Sequence, residues 1–191
     1  MLQCAWRLGC LRPQQELQAE MGGAAESALL GLFKLDDKSG VIDARVDEAL
    51  MNANKHLFKD DELVIVMGKV LPDRFSGGLQ LSVNQVWDLA AARCRFGKYL
   101  KVKMGAKPVD IRRLISEFPA LKELTEQGEL VRGLGVRVQL ERRGALPEQG
   151  ELAVQAELQL GDQVKFFPSD AALGAWLAHA GADAVNVVYE G

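Results

Sequence analysis

Residues 63–89, LVIVMGKVLPDRFSGGLQLSVNQVWDL, constrain the fold more tightly than any other stretch of the chain. Two β-rich runs flank PDRFSGG, whose proline and paired glycines suit a reversal, so the stretch predicts a long hairpin. Upstream, ALLGLFKL passes through the turn cluster DDKSG into VIDARV, where Ile42, Ala44 and Val46 alternate with Asp43 and Arg45. That pattern predicts a second hairpin, with Gly40 easing the tight connection and the acids before it bonding the turn backbone. Between the hairpins lies DEALMNANKHLF, residues 47–58. It sets Ala49, Leu50, Ala53, Leu57 and Phe58 at helical spacing behind Asp47, a suitable N-cap.

Strand, strand, helix, strand, strand is the order of strands 2 to 5 of an oligonucleotide-binding (OB-fold) barrel, with the helix between strands 3 and 4. Residues 1–28 show no sustained alternating or helical run, so they are expected to be poorly ordered and the barrel to lack strand 1. Downstream, KYLKVKM, GVRVQLERR, ELAVQAELQL and AVNVVYE read as strands. PVDIRRLISEFPALKEL opens with a proline suited to a helix start, and SDAALGAWLAHAG reads as a helix capped by Ser169 and closed by Gly181. The expected class is therefore α+β, mostly β. An incomplete barrel over residues 29–90 follows the unmatched segment 1–28, and a small α+β domain occupies residues 91–191.

The 191 residues carry 23 Lys and Arg against 26 Asp and Glu, a formal net charge of -3. No run approaches the roughly 18 apolar residues of a membrane span, and the first residues lack the apolar core of a signal peptide; the expected location is the cytoplasm. Cys4, Cys10 and Cys94 are scattered, without a CxxC pair or a His pair to complete a zinc site. No cofactor or metal is expected. Asp36 and Asp37 are adjacent and so diverge on an extended strand. Asp60, Asp61 and Glu62 suit a solvated connection better than the paired-metal cluster that phosphoryl transfer requires. No catalytic residue is assigned.

Charge is uneven along the chain. Residues 90–113 carry Arg93, Arg95, Lys98, Lys101, Lys103, Lys107, Arg112 and Arg113 against Asp110 alone. Barrels of this kind bind single strands over strands 2 and 3 and through the 1-2 and 4-5 loops, with cations for phosphates and aromatics for bases. On that basis Lys34 and Arg45 fall outward, Lys38 lies in the turn, and Arg74 and Phe75 lie in the 4-5 loop; these five form the candidate nucleic-acid site. Arg93, Arg95, Lys98, Lys101 and Lys103 either extend this groove along the phosphates or form the solvated side of a connecting strand and helix. Trp87 and Trp176 sit in apolar surroundings suited to a core.

From LDDKSG (residues 35–40) through the Phe75–Gly78 loop motif FSGG to Asp88, the chain resembles the barrel region of the alpha subunit of bacterial DNA polymerase III. The resemblance continues through LAVQAELQL and the motif Pro168, Ser169, Asp170, and covers about residues 29–191. It implies contact with single-stranded DNA, docking of the clamp-loader tau subunit and association with other replicase subunits. The parent family is a DNA-directed DNA polymerase, a nucleotidyltransferase. The resemblance implies a C-terminal fragment without the polymerase palm, fingers and phosphoesterase-like domain, the expected product of a truncated, frameshifted or rearranged gene. Candidate partner-binding residues are Phe166, Phe167, Ser169 and Asp170, although the two aromatics equally suit the domain's own core.

The leading expectation is a binding module of the replicase that is not an enzyme by itself. Two alternatives stand beside it: an independent oligonucleotide-binding protein of the tRNA-binding kind, and a part of an active polymerase.

Overall fold

A computed structural model describes residues 4–9, 30–37, 39–73, 77–105, 109–126, 128–146, 150–161 and 163–189. The chain divides into two compact units, Met1–Leu89 and Ala90–Gly191. The class is α+β, mostly β.

In the first unit the elements run β1 (Cys4–Gly9), β2 (Leu30–Asp36), β3 (Val41–Asp47), α1 (Glu48–Ala53), β4 (Leu63–Pro72) and β5 (Leu79–Trp87). The strands pair in the order β1-β2-β3-β5-β4, and β4 pairs back onto β1, so the ring closes. Every join is antiparallel except β3 to β5.

The expectation of a barrel without its first strand is corrected here. Cys4–Gly9 pairs with β2, setting Leu8 opposite Leu35, and with β4, setting Trp6 opposite Val64. Six residues are too few to display a convincing alternation, and this strand is defined by backbone pairing on both its edges, which sequence pattern does not reveal. Residues 1–3 and 10–28 of the supposed unmatched segment lie outside the described residues.

The second hairpin and the helix form for the expected reasons. Asp37 Oδ1 accepts hydrogen bonds from the Ser39 hydroxyl at 2.6 Å, the Ser39 amide at 2.9 Å and the Gly40 amide at 3.0 Å. These donors, the Ser39 hydroxyl first, hold the Asp37 carboxyl below the ordinary aspartate value. Asp47 caps α1 by accepting from the Leu50 amide at 2.7 Å. The helix stops at Ala53, short of the expected Phe58, where Asn54 turns its amide back to the carbonyls of Leu50 and Met51. Leu57 and Phe58 reach the core from the turns that follow, and Phe58 meets Phe33 edge-on at 5.4 Å between ring centres.

Strand β5 carries a phase break. Leu81 and Val83 are buried, as alternation from Leu81 requires, but the next buried residue is Val86. The pairing explains this: Met67 faces Gln85 while Gly68 faces Val83, so β5 spends one extra residue, Asn84, at that step. Opposite the bulge the β5 backbone presses on Gly68, where a Cβ would fall onto the Ser82 carbonyl.

The second unit contains the helix α2 (Leu89–Phe96), within whose first residues the division falls, then β6 (Gly97–Met104), α3 (Ile111–Glu117), β7 (Leu121–Thr125), β8 (Gly128–Arg132), β9 (Leu134–Leu146), β10 (Gly150–Gln159), β11 (Lys165–Phe166), α4 (Asp170–Ala180) and β12 (Val185–Tyr189). Its main sheet has the order β10-β9-β6-β12, with β6 parallel to β9 and β11 attached to β9. The expected helix after Pro108 is shorter than its sequence suggests: α3 ends before Pro119, and LKELT becomes β7, paired with β8. Strand residues Leu100, Val102, Val136 and Val138 share a core with Leu114 of α3 and with Ala172 and Trp176 of α4, so both helices cover one face of the sheet. Trp176 is wholly buried, tilted against Phe166 at 5.6 Å between ring centres.

Two outcomes follow from these local geometries. Gly68→Ala should lower the barrel's stability by about 1–3 kcal/mol in chemical denaturation, whereas Gly40→Ala, with open space around its Cβ position, should stay within about 0.5 kcal/mol; equal effects would refute the close-approach account. Asp37 should titrate below an ordinary aspartate by NMR, so that its stabilising contribution fades only as pH falls through that lowered value, and Ser39→Ala should raise its midpoint. An unchanged midpoint in Ser39→Ala would remove the hydroxyl from the account.

Candidate nucleic-acid interface

Because Phe33, Leu35, Ala44 and Val46 point into the barrel, Lys34, Asp36, Asp43 and Arg45 point out of it. Registers on three neighbouring pairs then build two cross-strand rows over this outer face. One row reads Lys34, Asp43, Gln80, Leu71, and the other Leu32, Arg45, Ser82, Lys69. Lys69 is exposed, and among the described residues neither it nor Arg45 has an ion-pair partner. Lys34 stands 3.6 Å from Asp43, with both side chains at least half exposed, a pairing that solvent makes weak.

The arrangement offers separated cations with amide and hydroxyl groups between them, a surface suited to phosphates and base edges. Among the described side chains three cations, Lys34, Arg45 and Lys69, share the face with Asp36, Asp43 and Asp47. Lys34 and Arg45 are therefore brought together on one face, one row apart. Lys38, Arg74 and Phe75 lie outside the described residues. Lys69, Gln80 and Ser82 were missed by sequence reasoning because their place beside Arg45 depends on the parallel β3–β5 pairing, a contact between strands that are not successive in the chain. Their alternation with Val70, Leu81 and Val83 was the available signal.

The five cations of the basic stretch do not form one line. Arg93 has a largely buried side chain that donates to Asp170 Oδ1 at 2.6 Å and to the Pro168 carbonyl at 3.0 Å, tying α2 to the start of α4. Arg95 is exposed near the Phe96 ring, at 5.8 Å from its centre. Lys98 is exposed at the start of β6, on the parity of Leu100 and Val102, whereas Lys101 and Lys103 share the opposite parity. Of the candidate docking residues, Phe166 lies in the core, and Ser169 caps α4 by accepting from the Ala172 amide at 3.1 Å. Phe167 is half-buried, with its amide donating to the Phe118 carbonyl, and Asp170 is exposed while paired with Arg93. Among the described residues no group of three or more His, Cys, Asp or Glu side chains could hold a metal ion, and no helix is long and apolar enough to cross a membrane.

No family model matches the chain. Among curated proteins it is similar to DNA polymerase III subunit alpha of Pseudomonas fluorescens, 29% identical over 163 residues, which are 84% of this chain and 12% of that protein. The corresponding subunit of Haemophilus influenzae is 31% identical over 162 residues, again 84% of this chain and 13% of the relative. That of Pasteurella multocida is 36% identical over 88 residues, 44% of this chain and 8% of the relative. The chain thus spans about an eighth of the length of the relatives it matches most extensively. Over most of its length, then, this chain is a homologue of a C-terminal region of bacterial DNA polymerase III alpha subunits.

Proposed function

We propose that this chain acts in DNA replication as a single-strand-binding module of the replicase, in the cytoplasm, with its first unit working as an oligonucleotide-binding barrel. The observation that carries this reading is the outer face of β2, β3, β5 and β4, where Lys34, Arg45 and Lys69 are spaced among Gln80 and Ser82. Cations there take phosphates, and the polar side chains between them take base edges or sugar oxygens. Because the face also carries carboxylates, affinity is modest and depends on few phosphate contacts. The second unit docks the clamp-loader tau subunit and thereby other replicase subunits; this part rests on the kinship alone, with Phe167 and the exposed side of Asp170 as the accessible members of the expected docking set.

Nucleotidyl transfer is assigned to the remainder of the longer relatives, and the chain needs no cofactor for the binding role. The alternative of an independent tRNA-type binding barrel is disfavoured because the kinship extends through the second unit.

Fluorescence anisotropy of the full chain with a labelled single-stranded oligonucleotide, across a salt series, tests the barrel reading. Binding should weaken about tenfold in the double variant R45E/K69E, and its salt slope should fall by about 1.4, the loss of two phosphate contacts. Absence of binding at low ionic strength, or an unaltered R45E/K69E, would reject it. A primer-extension assay on the same chain should be blank, and templated incorporation abolished by a chelator would restore the polymerase alternative.

A further inference from the structure

The face of the second unit's sheet opposite α3 and α4 carries a pattern that the barrel reading does not use. Alternation away from the buried Leu100, Val102, Val136 and Val138 places Tyr99, Lys101 and Lys103 of β6 there with Arg137 and Gln139 of β9. Register extends one row from Asn186 of β12 through Lys101 and Arg137 to Gln159 of β10. A neighbouring row runs Val188, Tyr99, Gly135, Lys165, the last opposite in parity to the buried Phe166. Among the described side chains the face thus gathers Lys101, Lys103, Arg137 and Lys165 against Glu141 and Glu157.

Arg137 is the centre of this surface. Its guanidinium carbon lies 3.8 Å from the centre of the Tyr99 ring, and its terminal nitrogens donate to Glu157 at 2.8 Å and Gln159 at 3.1 Å. A guanidinium held so close over an aromatic ring and fixed at both ends is a rigid planar platform. Its Nε, and Oε1 of Gln139 beside it, are shielded from water without a hydrogen-bond partner, so polar capacity on this face is left unmet. Among the described residues Lys101, Lys103 and Lys165 have no ion-pair partner.

We propose that this face of the sheet, opposite α3 and α4, binds single-stranded nucleic acid at a site that shares no residue with the barrel face, a base stacking on the Arg137–Tyr99 pair and Lys101 and Lys103 taking the flanking phosphates. The excess of cations selects a polyanion. The planar platform flanked by the amides of Gln139, Gln159 and Asn186 favours nucleic acid, which carries an aromatic base at every unit, over an acidic peptide, whose charged side chains carry no ring to stack. Side chains standing in rows on a sheet face suit splayed bases of a single strand better than a duplex groove. The inference stands independently of the barrel reading, since no residue is shared.

The test is anisotropy of the full chain with a fluorescein-labelled oligothymidylate of about twelve nucleotides, a length within the range single-strand sites cover. K101E/K103E should bind about tenfold more weakly, with a salt slope lower by about 1.4. R137K keeps the charge but loses the plane, so it should weaken binding several-fold with the slope unchanged. A K101E/K103E chain that melts like the parent and binds like it overturns the proposal. Should that variant not fold, ultraviolet crosslinking of the parent decides: adducts on β6 or β9 peptides support the site and their absence overturns it. Displacement of the oligonucleotide by polyglutamate as readily as by unlabelled oligothymidylate would reassign the face to acidic peptides. Loss of binding in R45E/K69E with full retention in K101E/K103E would sink this site and leave the barrel standing, and the opposite result would do the reverse.

Discussion

The parallel pairing of β3 with β5 is the join on which the first unit depends. Without it the strands would form an open sheet in the order β3-β2-β1-β4-β5, with β3 and β5 as free edges inviting association with other chains. With it, and with β1 bridging β2 and β4 on the far side, the ring has no free edge, and Phe33, Leu35, Ala44, Val46, Val64, Val66, Leu81 and Val83 enclose one core. The same join carries Ser82 to Arg45 and, one strand further, Lys69. Core and candidate surface are thus two sides of one set of backbone hydrogen bonds, since alternation sends every second residue to each.

The second unit divides its labour differently. Its sheet is covered by α3 and α4 on one side, where the strands turn their apolar residues, while Lys101, Lys103, Arg137 and Gln139 alternate to the other. Much of the charge legible along residues 93–103 is consumed by this architecture in unlike ways. Arg93 fastens the start of α4, whereas Lys101 and Lys103 stand on the open face. A linear run of cations therefore says little about a continuous electropositive surface, because a helix-to-strand transition at Gly97 redistributes them in space.

Local signals made most of the fold legible: the alternation in VIDARV, the acidic turn before Gly40, and the Ser169 and Gly181 boundaries of α4 all correspond to observed geometry. What was not legible depended on partners distant in sequence. Cys4–Gly9 becomes a strand because two edges accept it, and LKELT follows the pairing offered by Gly128–Arg132 over a helical continuation. At the candidate surface, Lys34 and Arg45 could be placed from alternation within one hairpin. Lys69 and the Arg137–Tyr99 stack required the strand order, which no local period encodes.

The bulge at Asn84 gives β5 a fixed length in an evolutionary sense. Between Val83 and Val86 the residue count sets which side chains face inward, so a one-residue insertion there would put Gln85, and a deletion Trp87, in the inward place of Val86. The strand that joins the two hairpins is therefore held to an exact count of residues.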